Sequence, residues 1–251
     1  VAQVASGIGR QEDARRFYGR ALNYRNTFDP KTKFARGRNR DGSFVEPFNE
    51  FQWGGAYIEG SAWQCTWAVP HDPAGMAALF GGDQALVSKL DRMLELPPVF
   101  DVGSYQREIH EMTEMGAVDF GQYAHSNQPV HHVLYLYTAM GRPEKTQYWV
   151  RRVLNELYTP GPGEGFAGDE DNGEMTAWYV FGALGFYPLC PGHPSYALGA
   201  PLFEKATICP PGGKAFVIEG VGNRPDTPFA SDSQLNGKPL SRLSVTQQEI
   251  S

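Results

Sequence analysis

GDEDNGEMTAWYVFGALGFYPLCPG, residues 168–192, is the stretch that decides the fold, because helical patterning ends within it. An acidic loop, residues 168–172, leads into the segment 173–184. This segment predicts a helix with Asn172 as candidate N-cap and Gly185 as terminator. After Pro188 the sequence changes to short segments that alternate apolar and polar residues between glycine and proline turns. We therefore predict helices up to about residue 190 and a small β-region beyond it.

Several helices are predicted upstream of this stretch from the spacing of apolar residues. Residues 12–25 carry an apolar stripe, and Asp72 followed by Pro73 predicts the start of a helix that runs to Phe80. Asp83 is expected to cap the helix that follows. Further helices are expected over residues 62–69, 105–115, 128–140 and 143–157. Helices joined by long loops fit a helical toroid, in which the loops form a pocket at one end.

The C-terminal region predicts short strands. Residues 206–208, 214–220 and 233–240 alternate apolar and polar side chains, and Asn236-Gly237 is a strong signal for a hairpin turn. The expected organisation is a mainly α region, residues 1–190, followed by a β-rich segment, residues 191–251.

The composition indicates a folded, acidic chain. Hydrophobic residues make up 41% of it and charged residues 20%, which is enough apolar material for a core. The formal net charge is −6 and there is no basic run, which argues against nucleic acid or an anionic membrane as partner. No apolar run is long enough to span a bilayer. The three cysteines make neither a disulfide framework nor a zinc-binding spacing.

Three stretches combine acids, amides or histidines with aromatic rings, namely residues 56–72, 110–132 and 165–179. Chemistry on a sugar requires this mixture, because carboxylates move protons at the glycosidic bond while rings cover the apolar faces of the pyranose. Stretches this far apart in the chain can share one site only through the fold. The sequence has no nucleophile elbow, phosphate loop or dinucleotide fingerprint, which excludes acyl-transfer and nucleotide chemistry.

Glu59 and the acids at 169–171 are candidates for proton transfer. Apolar neighbours could raise the pKa of Glu59 and make it a general acid. Taken alone, a glutamate favoured at a helix start by the helix dipole is the simpler interpretation. The acids at 169–171 could cap the following helix or act as a general base. They do not form an EF-hand, because Gly173 stands where a calcium ligand is required.

Hard oxygen donors are clustered between residues 110 and 128. Glu111 and Glu114 lie about one helical turn apart and share a face, and Asn127-Gln128 adds two amides. Oxygen donors suit Ca²⁺ rather than zinc, and HEMTEM lacks the second histidine of the H-E-x-x-H zinc motif. Of the adjacent pair His131-His132, at least one is expected to be structural, because the two side chains point in different directions.

Taken together, these motifs resemble the calcium-dependent exo-acting α-mannosidases of glycoside hydrolase family 92. The resemblance spans nearly the whole chain and rests on five segments in the same order: EGSAWQCTWAVPHD (59–72), REIHEMTEM (107–115), FGQYAHSNQPVHHVLYLY (120–137), GDEDNGEMTAWYVFGALGFYPLCPG (168–192) and GAPLFEKATI (199–208). It implies an enzyme with an N-terminal β-sandwich followed by an (α/α)6 barrel. This chain would be the C-terminal half of the catalytic region, without the sandwich and the first barrel helices.

The resemblance also implies roles for individual residues. In an inverting mechanism Glu59 would be the general acid, and Asp169 and Asp171 would serve as or support the general base. The residues assigned to sugar binding are Trp63, His110 and Glu111. The calcium ion, which contacts the mannose, would be held near Glu114, Asn127 and Gln128.

The expected partners are a mannose-containing glycan and the missing N-terminal part of the same protein. The family resemblance further implies a secreted or periplasmic location. Ser61 and Cys65 depart from the family pattern, where Asn and an aromatic residue are expected, and both flank the acid. Two other functions fit the sequence: a non-catalytic sugar-binding fragment with an incomplete pocket, and another helical-toroid glycosidase with a different sugar specificity.

Overall fold

The computed structural model describes residues 1–161, 165–224 and 228–250, and in these ranges the protein is helix-rich with small sheets. The helices are α1 (Ala2–Gly7), α2 (Gln11–Ala21), α3 (Ala62–Cys65), α4 (Pro73–Phe80), α5 (Asp83–Glu95), α6 (His110–Gly116), α7 (Leu136–Ala139), α8 (Pro143–Glu156) and α9 (Glu174–Leu184). The strands are β1 (Phe28–Asp29), β2 (Phe34–Ala35), β3 (Phe186–Tyr187), β4 (Ser195–Leu198), β5 (Lys205–Ile208), β6 (Phe216–Glu219), β7 (Gln234–Leu235), β8 (Lys238–Pro239) and β9 (Ser244–Thr246).

Helix α4 begins and ends where its sequence predicts. The Asp72 carboxylate accepts a hydrogen bond from the Gly75 N–H at 2.9 Å, which satisfies one of the free amides of the first turn. Pro73 follows in the first helical position, where its missing N–H costs nothing. Gly81 ends the helix in the left-handed conformation, with φ of 108°.

Two predicted caps are wrong, and in both cases a glycine takes the capping position. Helix α5 has Gly82 as its N-cap, so Asp83 is the first helical residue. Helix α9 has Gly173 as its N-cap, since Asn172 already adopts a positive φ of 58°. The predicted terminator Gly185 is confirmed, with φ of 83°.

Three predicted helices are shorter than their sequence patterns. Helix α3 ends at Cys65, and the segment 105–115 is helical only from His110. The segment 128–140 consists of 3-10 turns at Gln128–Val130 and Val133–Tyr135, followed by the single turn of α7. Its histidines bond to main-chain carbonyl oxygens: His132 to Trp67 at 2.7 Å and His131 to His125 at 3.1 Å. Both histidines are therefore structural.

The C-terminal region forms small antiparallel sheets. Strands β5 and β6 pair over four residues each, and β7 and β8 form a hairpin whose turn, Asn236-Gly237, has positive φ at both positions, as predicted. A three-stranded sheet has the order β3-β4-β9. Because β3 directly follows α9, this sheet joins the helical region to the C-terminal region across the expected boundary at residue 190.

The core is built largely from aromatic residues. A large buried cluster includes Trp63, Trp67 and Trp178, and sequential helices contact one another as α1–α2, α4–α5, α7–α8 and α8–α9. A smaller cluster contains Trp53, Met112, Met115 and Ala124. Both methionines lie on α6, so this second cluster fixes the inner face of the helix that carries His110, Glu111 and Glu114.

Apolar side chains on and beside the first two helices are exposed. On α1 and beside it, Val4 is 66% exposed and Ile8 is 67% exposed, and on α2 Tyr18 is 52% exposed. A closed (α/α)6 ring remains a prediction. Within the described ranges, none of the helices has the length and apolar character that a bilayer crossing requires.

Candidate active site

Glu59 lies in a tight turn that three other parts of the chain hold in place. Its φ is 49°, a left-handed conformation that side-chain-bearing residues rarely adopt. The Glu59 N–H donates to the Tyr105 hydroxyl at 2.8 Å, and the Asn127 side-chain amide donates to the Glu59 carbonyl at 2.7 Å. The Gly60 main chain lies close to Cys65, so that a Cβ on Gly60 would stand 3.1 Å from the Cys65 sulfur. The Glu59 side chain itself is exposed and free to meet a ligand.

The three carboxylates of the acidic loop, Asp169, Glu170 and Asp171, differ in their surroundings. Glu170 turns back onto α9, where its carboxylate accepts hydrogen bonds from the Gly173 N–H and from the N–H and hydroxyl of Thr176. The Thr176 hydroxyl contributes most to the lowered pKa of Glu170. The capping role therefore belongs to Glu170, while Asp169 and Asp171 are exposed. Asp171 has a φ of 53°, so both Glu59 and Asp171 sit in left-handed backbone.

His110 links helix α6 to the acidic loop. Its ring nitrogens lie 3.1 Å from a Glu114 oxygen and 3.3 Å from a Glu111 oxygen, and the second nitrogen is 4.0 Å from Asp169. Desolvation alone would lower the pKa of His110, but the hydrogen bond to Glu114 and the nearby carboxylates outweigh it and raise this pKa. The His110 ring thus lies between Asp169 and the two acids of α6.

Asn127 and Gln128 connect the Glu59 turn to the acidic loop. The Asn127 amide donates to the main-chain carbonyl of Glu59, and the Gln128 amide donates to the main-chain carbonyl of Asp169 at 3.1 Å. Two adjacent side chains therefore hydrogen-bond to the two segments that carry the candidate acid and the candidate base. The structure brings together Glu59, Asn127, Gln128, Asp169, His110, Glu111 and Glu114 through direct contacts.

The site contains buried oxygen atoms without hydrogen-bond partners. Within the described residues, Glu111 Oε2, Glu114 Oε2 and Ser126 Oγ are buried and make no hydrogen bond. Gly168 lies against two of these residues: a Cβ placed on it would stand 2.8 Å from Ser126 Cβ and 3.1 Å from Glu114 Oε2. Only glycine allows this approach. A desolvated carboxylate oxygen without a donor is unfavourable, and a hard metal ion is one group that would satisfy it.

The described His, Cys, Asp and Glu side chains include no group of three arranged to hold an ion by themselves. A calcium site here would combine a carboxylate with amide, hydroxyl or main-chain oxygens, which Ca²⁺ accepts. Glu114, Asn127 and Gln128 supply such oxygens. The Asn127 and Gln128 amides use their nitrogens to bond the Glu59 and Asp169 carbonyls, so their oxygens are not used in these bonds. Ser126 adds a hydroxyl that the sequence did not single out.

Helix α9, which follows the acidic loop, packs against a buried group of polar and aromatic side chains. His125 lies between the hydroxyls of Tyr123 and Tyr158, at 3.0 and 2.8 Å, and its ring centroid is 4.4 Å from that of Trp178. Burial holds the pKa of His125 well below its ordinary value, so this ring is neutral. Trp178 donates to the His131 carbonyl at 2.9 Å, which fastens α9 to the segment before α7.

Trp63 does not fit its predicted role in sugar binding. The side chain is 0% exposed, with the Phe34 ring centroid at 4.9 Å and the Lys89 ammonium 4.3 Å from its own ring. A ring without exposed surface cannot stack on a sugar, so Trp63 belongs to the core. Sequence reasoning also missed Tyr105, whose contact with Glu59 crosses 46 positions of the chain and leaves no local signal.

The whole chain, residues 1–251, matches the Glycosyl hydrolase family 92 catalytic domain. The chain belongs to this family. Among solved structures, a family GH92 inverting mannosidase from Bacteroides thetaiotaomicron is 44% identical, with a TM-score of 0.85 over 99% of this chain. A GH92 α-mannosidase from the same organism, in complex with mannoimidazole, is 31% identical with a TM-score of 0.88.

A curated relative is 23% identical over 96% of this chain and is described as an uncharacterized secreted glycosidase of Arthroderma benhamiae. The chain spans about a third of the length of its relatives: 31% of the Arthroderma protein and 34% and 32% of the two Bacteroides structures. The match therefore covers one portion of a GH92 protein.

Proposed function

We propose that this chain is the C-terminal part of an enzyme that removes terminal α-linked mannose from glycans, with inversion at the anomeric carbon and with calcium. Membership of family GH92 and the 44% identity to an inverting mannosidase support the substrate class and the stereochemistry. The site itself supports the chemistry, because it places exposed carboxylates around a common group of polar residues.

The observation that carries this proposal is a pair of hydrogen bonds. The adjacent side-chain amides of Asn127 and Gln128 donate to the main-chain carbonyls of Glu59 and Asp169. An inverting glycosidase needs one carboxyl on each side of the scissile bond, about 6.5–9.5 Å apart, so that a water fits between sugar and base. Two adjacent side chains that hold the two acid-bearing segments would fix such a spacing. We expect Glu59 and Asp169 or Asp171 to face each other at that separation when substrate is bound.

In this mechanism Glu59 donates a proton to the departing glycosidic oxygen. Asp171 and Asp169 act on the opposite side: one accepts a proton from the attacking water and the other orients that water. His110 lies 4.0 Å from Asp169 and, with Glu111, offers groups that bind sugar hydroxyls. Glu170 takes no part in proton transfer, because its carboxylate is occupied by the first turn of α9.

Glu114, Asn127 and Gln128 would hold the calcium ion, with the Ser126 hydroxyl as an added donor. The ion would supply a positive charge that draws sugar hydroxyl oxygens into the site. The unpartnered Glu114 oxygen supports this assignment, since its burial is otherwise unfavourable.

The Glu59 carboxylate is exposed, whereas a general acid benefits from desolvation. We propose that the missing N-terminal β-sandwich and barrel helices cover this side of the site and pack against the apolar flank of α1 and α2. We also propose a secreted or periplasmic location, and the description of the Arthroderma relative as secreted supports export.

The test is a calcium-titrated assay of the complete protein on mannobioses of each linkage, with the anomeric product followed by NMR. We expect chelation to abolish activity, calcium to restore it, and the first product to be β-mannose. Glu114→Gln should weaken calcium binding at least tenfold, whereas Glu12→Gln on α2 should leave it unchanged. Sugar binding without turnover would favour a non-catalytic sugar-binding protein, and cleavage of other glycosides would favour a different glycosidase.

A further inference from the structure

We propose that Tyr105 is a positioning residue for the general acid: its hydroxyl keeps Glu59 in the left-handed conformation from which the carboxyl reaches the glycosidic oxygen. This inference rests on the proposed function, because it assigns a partner to the acid named there. Tyr105 lies outside every sequence motif that pointed to the site.

The backbone of Glu59 is the first observation. A left-handed residue with a side chain is less stable than an extended one, so it persists only where its surroundings hold it. Rotation of Glu59 to an extended conformation would change the direction in which its side chain leaves the backbone. The two main-chain groups of Glu59 are therefore the points at which its position is set.

Both groups are engaged, and by side chains from different parts of the chain. The Tyr105 hydroxyl accepts from the N–H at 2.8 Å, and the Asn127 amide donates to the carbonyl at 2.7 Å. Neither bond uses the Glu59 carboxyl. These two main-chain hydrogen bonds thus hold the backbone of Glu59 and leave its carboxyl free to donate a proton.

Tyr105 is itself rigidly placed. It packs against the small core cluster of Trp53, Met112 and Met115. The main chain of Gly54 lies directly on its ring, so closely that a Cβ on Gly54 would stand 3.0 Å from a ring carbon. Gly54 in turn donates from its N–H to the Gly60 carbonyl at 3.1 Å, which closes the loop that carries Glu59. The hydroxyl therefore acts as a fixed acceptor on a rigid ring.

The test uses Tyr105→Phe in the complete protein, because this change removes the hydroxyl and keeps the ring that supports Gly54. We expect kcat/KM for a mannobiose to fall about tenfold, the effect of losing one hydrogen bond that orients a reacting group. An activated aryl mannoside, which needs little acid assistance, should lose less than about threefold. Tyr148→Phe on α8, a tyrosine that is 43% exposed, is the matched control and should change neither value.

The cost of Tyr105→Phe is then measured in a Glu59→Gln background with the aryl substrate. If Tyr105 acts through the acid, the second change adds no further loss. Equal losses on both substrates, or an undiminished cost when Glu59 is already replaced, would overturn the inference. Hydrogen exchange of the Glu59 amide gives a reading without activity: Tyr105→Phe should accelerate it about tenfold, and unchanged exchange would also overturn the inference. If the wild-type protein cleaves no mannoside, the proposed function fails, while the exchange result still decides whether Tyr105 holds Glu59.

Discussion

The side-chain amide of Asn127 donates a 2.7 Å hydrogen bond to the main-chain carbonyl of Glu59. Asn127 is buried, whereas the Glu59 side chain is exposed, so a fixed residue holds the backbone of a residue whose carboxyl is free. The same amide group carries an oxygen that can bind a cation. Asn127 therefore stands at the junction between the candidate acid and the candidate calcium site.

Asn127→Asp separates these two roles. Aspartate retains an oxygen ligand, so calcium affinity measured by titration calorimetry should be kept or increased. Its carboxylate cannot donate to the Glu59 carbonyl and would repel it, so activity on mannobiose should fall about 10- to 100-fold. Asn39→Asp in an exposed loop is the control, with neither property expected to change. Loss of calcium binding with activity preserved would contradict this division of roles.

Glu59→Gln removes the transferable proton and preserves the size of the side chain. We expect kcat on mannobiose to fall at least about 100-fold, while activated aryl mannosides are cleaved with a much smaller loss. Thermal unfolding should be unchanged, because the fold holds the main chain of Glu59 and not its carboxyl. Comparable losses on both substrate classes would show that Glu59 is not the acid.

Asp171→Asn should abolish cleavage of both substrate classes, since every substrate requires the activated water. Its neighbour provides an internal comparison. Glu170→Ala should lower the thermal midpoint, because Glu170 caps the first turn of α9, and should affect chemistry less than Asp171→Asn does. An inactive Glu170→Ala protein with an unchanged thermal midpoint would reverse the assignment within the loop.

The buried ion pair between Asp29 and Arg36 predicts an acid-sensitive contribution to stability. The two groups meet at 2.8 Å with side chains 5% exposed. Burial by itself would raise the pKa of Asp29, but hydrogen bonds from Arg36, the Lys31 N–H and Thr32 lower it below its ordinary value. The stabilisation is therefore present above the ordinary pKa of 3.8 and lost as pH falls through the lower, folded-state pKa.

Asp29→Asn should cost about 2 kcal/mol near neutral pH, because it removes one of the two carboxylates that pair with the buried Arg36 guanidinium and leaves only that of Glu46. The deficit relative to wild type should shrink below about pH 4. Denaturant unfolding at a series of pH values measures both effects. Asp119→Asn, at an exposed position, should show neither. A deficit that stays constant down to pH 2 would contradict the ionic origin of the effect.

Local chemistry predicted the parts of the fold that depend on one residue and its neighbours. Asp72-Pro73 and Gly81 bound α4, and Asn236-Gly237 makes its hairpin, because caps and turns need particular side chains or positive φ. The segment 128–140 is not the continuous helix predicted, because Pro129 lies in a 3-10 turn and the His132 ring bonds to the carbonyl of Trp67, 65 positions away. Strands β1 and β2 have two residues each, which is too short to leave an alternating pattern in the sequence.

The candidate site shows the same division. Motifs identified the acids, His110, and the amides, which the structure brings together. They could not distinguish a ring that faces a sugar from one that fills the core, so Trp63 was misplaced. Nor could they reveal Tyr105, because the geometry of a left-handed turn and the hydroxyl that meets it exist only in three dimensions.

The sheet β3-β4-β9 combines two strands that follow α9 closely in the chain with a third strand near the end of the described residues. Strand β3 continues from α9, whose first turn carries the acidic loop, and β9 pairs with β4 on the far side of the sheet. Translation reaches Ser244–Thr246 only after the residues of β5, β6, β7 and β8 have been synthesised. The third strand of this sheet is thus made last, so a nascent chain that stops before it would contain the acids of the site and α9 but only two strands of the sheet that follows α9.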